Sequence, residues 1–140
     1  MARTVIVLCG PPGAGKTTLA HTSGLNVYDR DDYLGEREFS ADLDMIASDP
    51  DAQAVVIRIA PKSSDRERIC ERVDASACYL VTEDVPTLRA RIASRGRRDK
   101  IQTLAALNDW TRLHETDDGV QPLPGWPAVL GIGEPASEEW

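Results

Sequence analysis

The chain has 140 residues, enough for one domain with a substantial core and too few for two ordinary ones. Hydrophobic residues make up 41% and charged residues 28%, a balance that excludes wholesale disorder. A net charge of -7 excludes a protein that coats long nucleic acid, because neutralising a run of phosphates takes a broad basic face. Contact with a polyanion is therefore expected at one local site only.

From the amino terminus, residues 4–9 (TVIVLC) predict a first strand, followed by a glycine-rich turn and a helix over 15–23. A second strand is expected at 25–29 (LNVYD), a helix within 41–48, a third strand at 54–60 (AVVIRIA) and a helix over 64–73. The fourth strand is placed at 77–82 (ACYLVT) and its helix at 84–94. Beyond Gly96 comes a short basic loop and then a helix in KIQTLAALNDWTRLHE, where Ile101, Leu104, Leu107 and Trp110 fall near helical spacing. These strands are continuous apolar runs, which suits parallel strands buried on both faces, and their alternation with helices predicts an α/β sheet with right-handed crossovers. The tail from Thr116, containing QPLPGWPAVLGIGEP, is too rich in Pro and Gly for regular structure. It is expected to pack as an extended strap through Trp126 and Val129, so that residues 1–115 form the domain and 116–140 an extension on it.

No stretch is long enough to span a bilayer and the first residues lack a secretory signal, so a cytoplasmic protein without a membrane partner is expected. No stable protein partner is indicated either. Cys9, Cys70 and Cys78 show no CxxC spacing and no nearby histidine, which predicts buried thiols rather than a zinc site or a disulfide framework.

Residues 10–17, GPPGAGKT, satisfy G-x-x-x-x-G-K-[ST], the Walker A pattern, and lie where that pattern requires, after a strand and before a helix. Glycine lets backbone N–H groups turn inward around a phosphate, the following helix aims its positive end there, and Lys16 adds a mobile point charge. A plain Pro-Gly turn with a solvated lysine needs neither the Lys-Thr placement nor the strand. Gly10, Pro11, Pro12, Gly13, Ala14, Gly15, Lys16, Thr17 and Thr18 are thus the expected nucleotide-binding residues, wrapping the β- and γ-phosphates of ATP or GTP, with Thr17 on Mg²⁺.

Two further segments carry chemistry. Asp29, Asp31 and Asp32 fall at or just past the end of the second strand, where open α/β sheets place ligands, and a carboxylate there can take a hydroxyl proton or help hold Mg²⁺. Asp31 is the preferred base; Asp32 reads equally well as a helix cap. In LRARIASRGRRDK, residues 88–100, Arg91 and Arg95 lie four apart, with Arg97, Arg98 and Lys100 behind a glycine hinge. This is the one concentrated basic patch, placed where a lid can neutralise a transferring phosphoryl group.

The three segments together resemble the kinase domain of the polynucleotide 5′-hydroxyl kinases, within the P-loop kinases at large. GPPGAGKTTLA resembles that family's phosphate loop, RDDY (30–33) its acceptor motif, and RIASRG (91–96) its lid spacing. The resemblance implies an α/β, P-loop NTPase fold of the nucleoside/nucleotide kinase-like kind, a three-layer sandwich on a short parallel sheet of four or five strands with a small Arg-rich lid. It also implies that Lys16 and Thr17 serve ATP and Mg²⁺, that Asp31 is the general base on a 5′-hydroxyl, and that Arg91 and Arg95 stabilise the transferred group. Leu34 stands where the family carries an arginine, and the third strand ends in Arg58 with no Walker-B-like aspartate. Asp29, Arg30, Asp32 and Arg58 are the candidate acceptor-binding residues; Arg58 is open to holding an acceptor phosphate or pairing with Asp29 or Asp31. The leading expectation is an ATP- and Mg²⁺-dependent kinase for a nucleic-acid 5′ end or a nucleotide-like acceptor. A kinase for a nucleoside or sugar, and a non-catalytic nucleotide-binding module, are the alternatives.

Overall fold

In a computed structural model that describes residues 3–94 and 99–131, the first strand, β1 (Thr4–Cys9), occupies the middle of the sheet. Its alternation divides the core. Val5 and Val7 face one side and Ile6 and Leu8 the other, all of them buried. On one side of β1 runs β3 (Gln53–Arg58), with Thr4 opposite Gln53; on the other runs β4 (Ala77–Leu80), with Ile6 opposite Ala77. The outer strands are β2 (Asn26–Asp29) beside β3 and β5 (Gln121–Pro122) beside β4, giving the order β2-β3-β1-β4-β5 with every pair parallel.

Helices cover both faces, as parallel strands require. Phe39, Leu43 and Ile46 of α2 (Glu36–Ser48) and Ile69 and Val73 of α3 (Ser63–Val73) pack on Val5, Val7 and Val56. On the opposite face Ala20 of α1 (Lys16–His21), Leu88 and Ile92 of α4 (Val85–Ser94) and Leu107 of α5 (Lys100–Leu113) meet Ile6, Leu8 and Ile57. The result is the three-layer α/β sandwich expected from the sequence. Among the described residues no helix is long and apolar enough to cross a membrane. The three cysteines are free, and Cys9 Sγ lies 3.9 Å from Cys78 Sγ; Cys9 is buried, whereas Cys70 and Cys78 are half-buried.

Three local expectations are corrected. The second helix starts at Glu36, not 41: its first turn is polar, and only Phe39 marks the buried face that Leu43 and Ile46 continue. Ile101, counted with the apolar stripe of the fifth helix, is 83% exposed; Thr103, Leu107 and Trp110 make the buried face. The Pro-rich tail does form regular structure: β5, then α6 (Trp126–Val129). Pro122 is tolerated because β5 is an edge strand, and Pro127 because the first turn of a helix needs no intrahelical N–H bond. Leu123, Trp126 and Val129 pack on the second core cluster, and Trp126 Nε1 donates to Leu19 O at 2.8 Å.

The return of the chain to that edge is tied by Arg66, which is 2% exposed. Its guanidinium donates to both carboxylate oxygens of Asp118 at 2.8 and 2.9 Å and to the carbonyls of Ala60, Pro61 and Glu115. Removing the buried guanidinium strands these carbonyls and leaves its space unfilled, so Arg66→Ala is predicted to cost about 3 kcal/mol in chemical unfolding. The Arg66 hydrogen bonds hold the Asp118 carboxyl below its ordinary range. A depressed folded pKa stabilises above the unfolded value and is lost as pH falls through the folded one. The gap between parent and Arg66→Ala should accordingly narrow as pH drops below about 4.

Candidate active site

The turn after β1 is shaped by what its glycines lack. A Cβ at Gly10 would stand 1.9 Å from the carbonyl oxygen of Val81, so β1 and the segment after β4 approach each other only because that atom is missing. Gly13 and Gly15 hold φ of 85° and 91°, the left-handed region in which other residues are strained. The loop closes over Lys16, whose ammonium donates to Gly10 O at 2.7 Å and Pro11 O at 2.8 Å. Burial pushes that ammonium down to about 8, against the opposing pull of Asp29, Cys9 and Asp31.

Thr17, one residue into α1, donates its hydroxyl to Asp29 Oδ2 at 2.6 Å. Asp29 is the last residue of β2 and is buried; its other oxygen accepts from the backbone N–H of Asp31 at 3.0 Å. That bond caps the short 3₁₀ turn Arg30–Asp32 and sets Asp31 on the rim of the cleft with its side chain exposed. The cleft encloses about 420 Å³ between the loop residues Pro12 to Thr18, the Asp29–Asp31 segment and the end of β3 at Ile57 to Ile59. Arg91 reaches the same loop from α4, donating to Gly13 O at 3.2 Å, and stands 3.9 Å from Glu83.

The structure thus brings together the phosphate loop, Asp29, Arg30, Asp31 and Arg58 around one cleft and sets Arg91 against the loop from outside. Asp32 is exposed and does not line it. Arg95, Arg97 and Arg98 lie outside the described residues. Arg58 pairs with neither Asp29 nor Asp31: it stands 3.7 Å from Glu36 and 5.3 Å from the centre of the Phe39 ring. Glu36 also receives Arg30 at 2.6 Å, and the two guanidinium groups draw its carboxyl below the usual range, Arg30 foremost. Nothing in the local sequence singled out Glu36, because it sits in a polar first turn where a solvated carboxylate is ordinary. β3 ends without a carboxylate; the one that meets Thr17 is Asp29, at the end of the neighbouring β2, whose only sequence signal was its place at the end of a strand.

No group of three His, Cys, Asp or Glu able to hold a metal occurs among the described residues. A pair such as Thr17 and Asp29 fits the other arrangement, in which Mg²⁺ keeps one or two protein ligands and completes its shell from water and nucleotide phosphates.

No protein-family model and no curated protein matches the sequence. Solved structures do match the fold. A sugar kinase from a Janibacter species superposes with a TM-score of 0.58 at 18% identity, covering 99% of this chain and 90% of that one. A gluconokinase from Sinorhizobium meliloti gives 0.59 at 14%, covering 92% and 88%. Kti12 from Chaetomium thermophilum, solved with ADP-AlF3, gives 0.54 at 16%, covering 87% and 89%. The fold is that of the P-loop kinases.

Two glycine substitutions separate steric from conformational demands. Gly10→Ala, which drives a methyl into a backbone oxygen, should lower unfolding free energy by about 3 kcal/mol. Gly15→Ala, with nothing within 4 Å of the new atom, should lose only about 1–2 kcal/mol from its left-handed backbone. Urea denaturation of the two variants reads the difference; equal losses would show that the close contact at Val81 is not what fixes the turn.

Proposed function

We propose that the protein is an ATP-dependent kinase that transfers the γ-phosphoryl group to a hydroxyl of a small molecule. The observation that carries this reading is the convergence, on one cleft, of a phosphate loop, the Thr17–Asp29 pair and an exposed aspartate, Asp31. A loop that only bound nucleotide would need no free carboxylate on the acceptor side. The sugar kinase and gluconokinase folds support a small acceptor, as does the overall negative charge.

The loop amides and Lys16 would bind the β- and γ-phosphates, with Lys16 exchanging its two carbonyl partners for phosphate oxygens. Thr17 and Asp29 would hold Mg²⁺, which when bound offsets the charge of the phosphate oxygens. Asp31 accepts the proton of the acceptor hydroxyl as its oxygen bonds to the γ-phosphorus; the β–γ bridging P–O bond breaks and ADP leaves with the electron pair. Arg91, from the loop's outer side, and Arg95 would balance charge on the group in flight.

A second reading, the 5′-hydroxyl of a nucleic-acid end, is favoured by the exposure of Asp31, which an acceptor larger than the cleft can reach from solvent. Incubation with γ-labelled ATP and Mg²⁺ against sugars, hydroxy acids, nucleosides and 5′-hydroxyl oligonucleotides separates the two by where the label goes. Lys16→Ala is expected to abolish labelling. Asp31→Asn is expected to lower turnover about 100-fold or more while ADP affinity stays close to that of the parent. Full activity in Asp31→Asn would remove the base from this scheme, and failure to bind ATP at all would end the kinase reading.

A further inference from the structure

A second pocket, of about 380 Å³, adjoins the cleft, and Arg58 and Ile59 belong to the wall of both. Leu43 of α2 and Ile69 of α3 give it an apolar patch, and three cations, Arg58, Arg68 and Arg72, outnumber the two carboxylates, Glu36 and Asp65, that share its lining. These three cations are not equally engaged. Arg72 is committed to Asp44 at 2.8 Å and to Ser40. Arg58 and Arg68 each stand 3.7 Å from a carboxylate, Glu36 and Asp65 respectively, beyond the roughly 2.7–2.9 Å of a strong charge-assisted hydrogen bond. Glu36 is moreover held by Arg30 at 2.6 Å. Each guanidinium has five N–H donors in a planar fork, so both keep donors for an anion entering the pocket.

The backbone between them is strained as well. Ala60, on the pocket wall, has φ of 31°, in the left-handed region that strains a non-glycine residue, and the buried Arg66 holds its carbonyl at 3.0 Å. Such strain concentrates where a surface is shaped for a ligand.

We propose that this pocket seats the acceptor and that the acceptor is a small hydroxyl compound bearing a carboxylate or phosphate head, clamped by Arg58 and Arg68. The inference rests on the kinase reading above. With its head on the two arginines and its carbon skeleton over Leu43 and Ile69, the molecule extends past Ile59 into the cleft. There its hydroxyl oxygen bonds to the γ-phosphorus, the β–γ bridging bond breaks toward ADP, and the proton passes to Asp31. The volume is at the small end of the roughly 300–1,000 Å³ of ligand pockets, which suits one compact anion and not an oligonucleotide.

Calorimetry on the full chain saturated with ADP and Mg²⁺ tests this with matched probes: D-gluconate against D-glucitol, and glycerol 3-phosphate against glycerol. At least one anion should bind about tenfold or more tightly than its neutral counterpart, and the arm that does so identifies the head as carboxylate or phosphate. Arg58→Gln and Arg68→Gln should each erase that preference. Arg68 is 78% exposed on its side chain, so its variant keeps the fold even if Arg58→Gln does not. Equal binding of charged and neutral probes, no binding of any, anion binding that survives Arg68→Gln, or tighter binding of a 5′-hydroxyl oligonucleotide would each overturn the proposal. If ADP fails to bind, the kinase reading falls by itself, and the same titrations without nucleotide still decide whether the pocket takes an anion.

Discussion

A lysine ammonium held inside a folded protein is the constraint on which the rest of this structure depends. Lys16 is 8% exposed and, among the described residues, is answered by two carbonyl oxygens of its own loop, with the carboxylates of Asp29 and Asp31 acting on it through space. Removing a charge from water is expensive unless polar groups converge on it. The loop must therefore wrap tightly, and tight wrapping demands glycine at 13 and 15 and no side chain at 10. The apolar strand before the loop fixes where all of this happens. Because β1 is central, with β3 and β4 on its flanks, the loop emerges where the strand order turns from one side of the sheet to the other, the crevice at which open α/β sheets receive ligands.

Around that point the charges form a connected arrangement. Asp29 serves Thr17 with one oxygen and positions Asp31 with the other, so a single buried carboxylate couples the start of α1 to the 3₁₀ turn on the rim of the cleft. Glu36 does something comparable nearer the surface, gathering Arg30 from the 3₁₀ turn and Arg58 from β3. Farther away, Arg66 joins α3 to the segment after α5 and brings the chain to the β4 edge. In an acidic protein with few aromatic residues, guanidinium groups bridging separate elements supply much of the cross-linking that a larger core would give.

The architecture was legible from residue patterns because its signals were redundant. The strands at the middle of the sheet are dominated by apolar, β-branched residues, and a loop that satisfies G-x-x-x-x-G-K-[ST] between strand and helix leaves few other topologies open. Less was readable where one signal stood alone. The first turn of α2 is polar, Phe39 being its sole buried mark, and the tail's prolines hid an edge strand and a helical turn that both tolerate them. Motif positions announced themselves, whereas Glu36 and Arg68 beside the cleft and Arg66 away from it did not, since a charged residue in a polar helix looks the same whether it meets solvent or a partner. The hydrogen bond from Thr17 to Asp29 was equally hidden, because it joins residues on different elements through a contact that only folding creates.

The position of β1 also bears on how the molecule is assembled. Thr4 must wait for Gln53, and Ile6 for Ala77, before the first strand acquires a neighbour on either flank. A sheet whose earliest strand is its innermost relies on distant pairings, which slows folding relative to proteins of local contacts. During synthesis the segment TVIVLC emerges with both hydrogen-bonding edges bare and stays open to aggregation until β3 and β4 arrive to cover them.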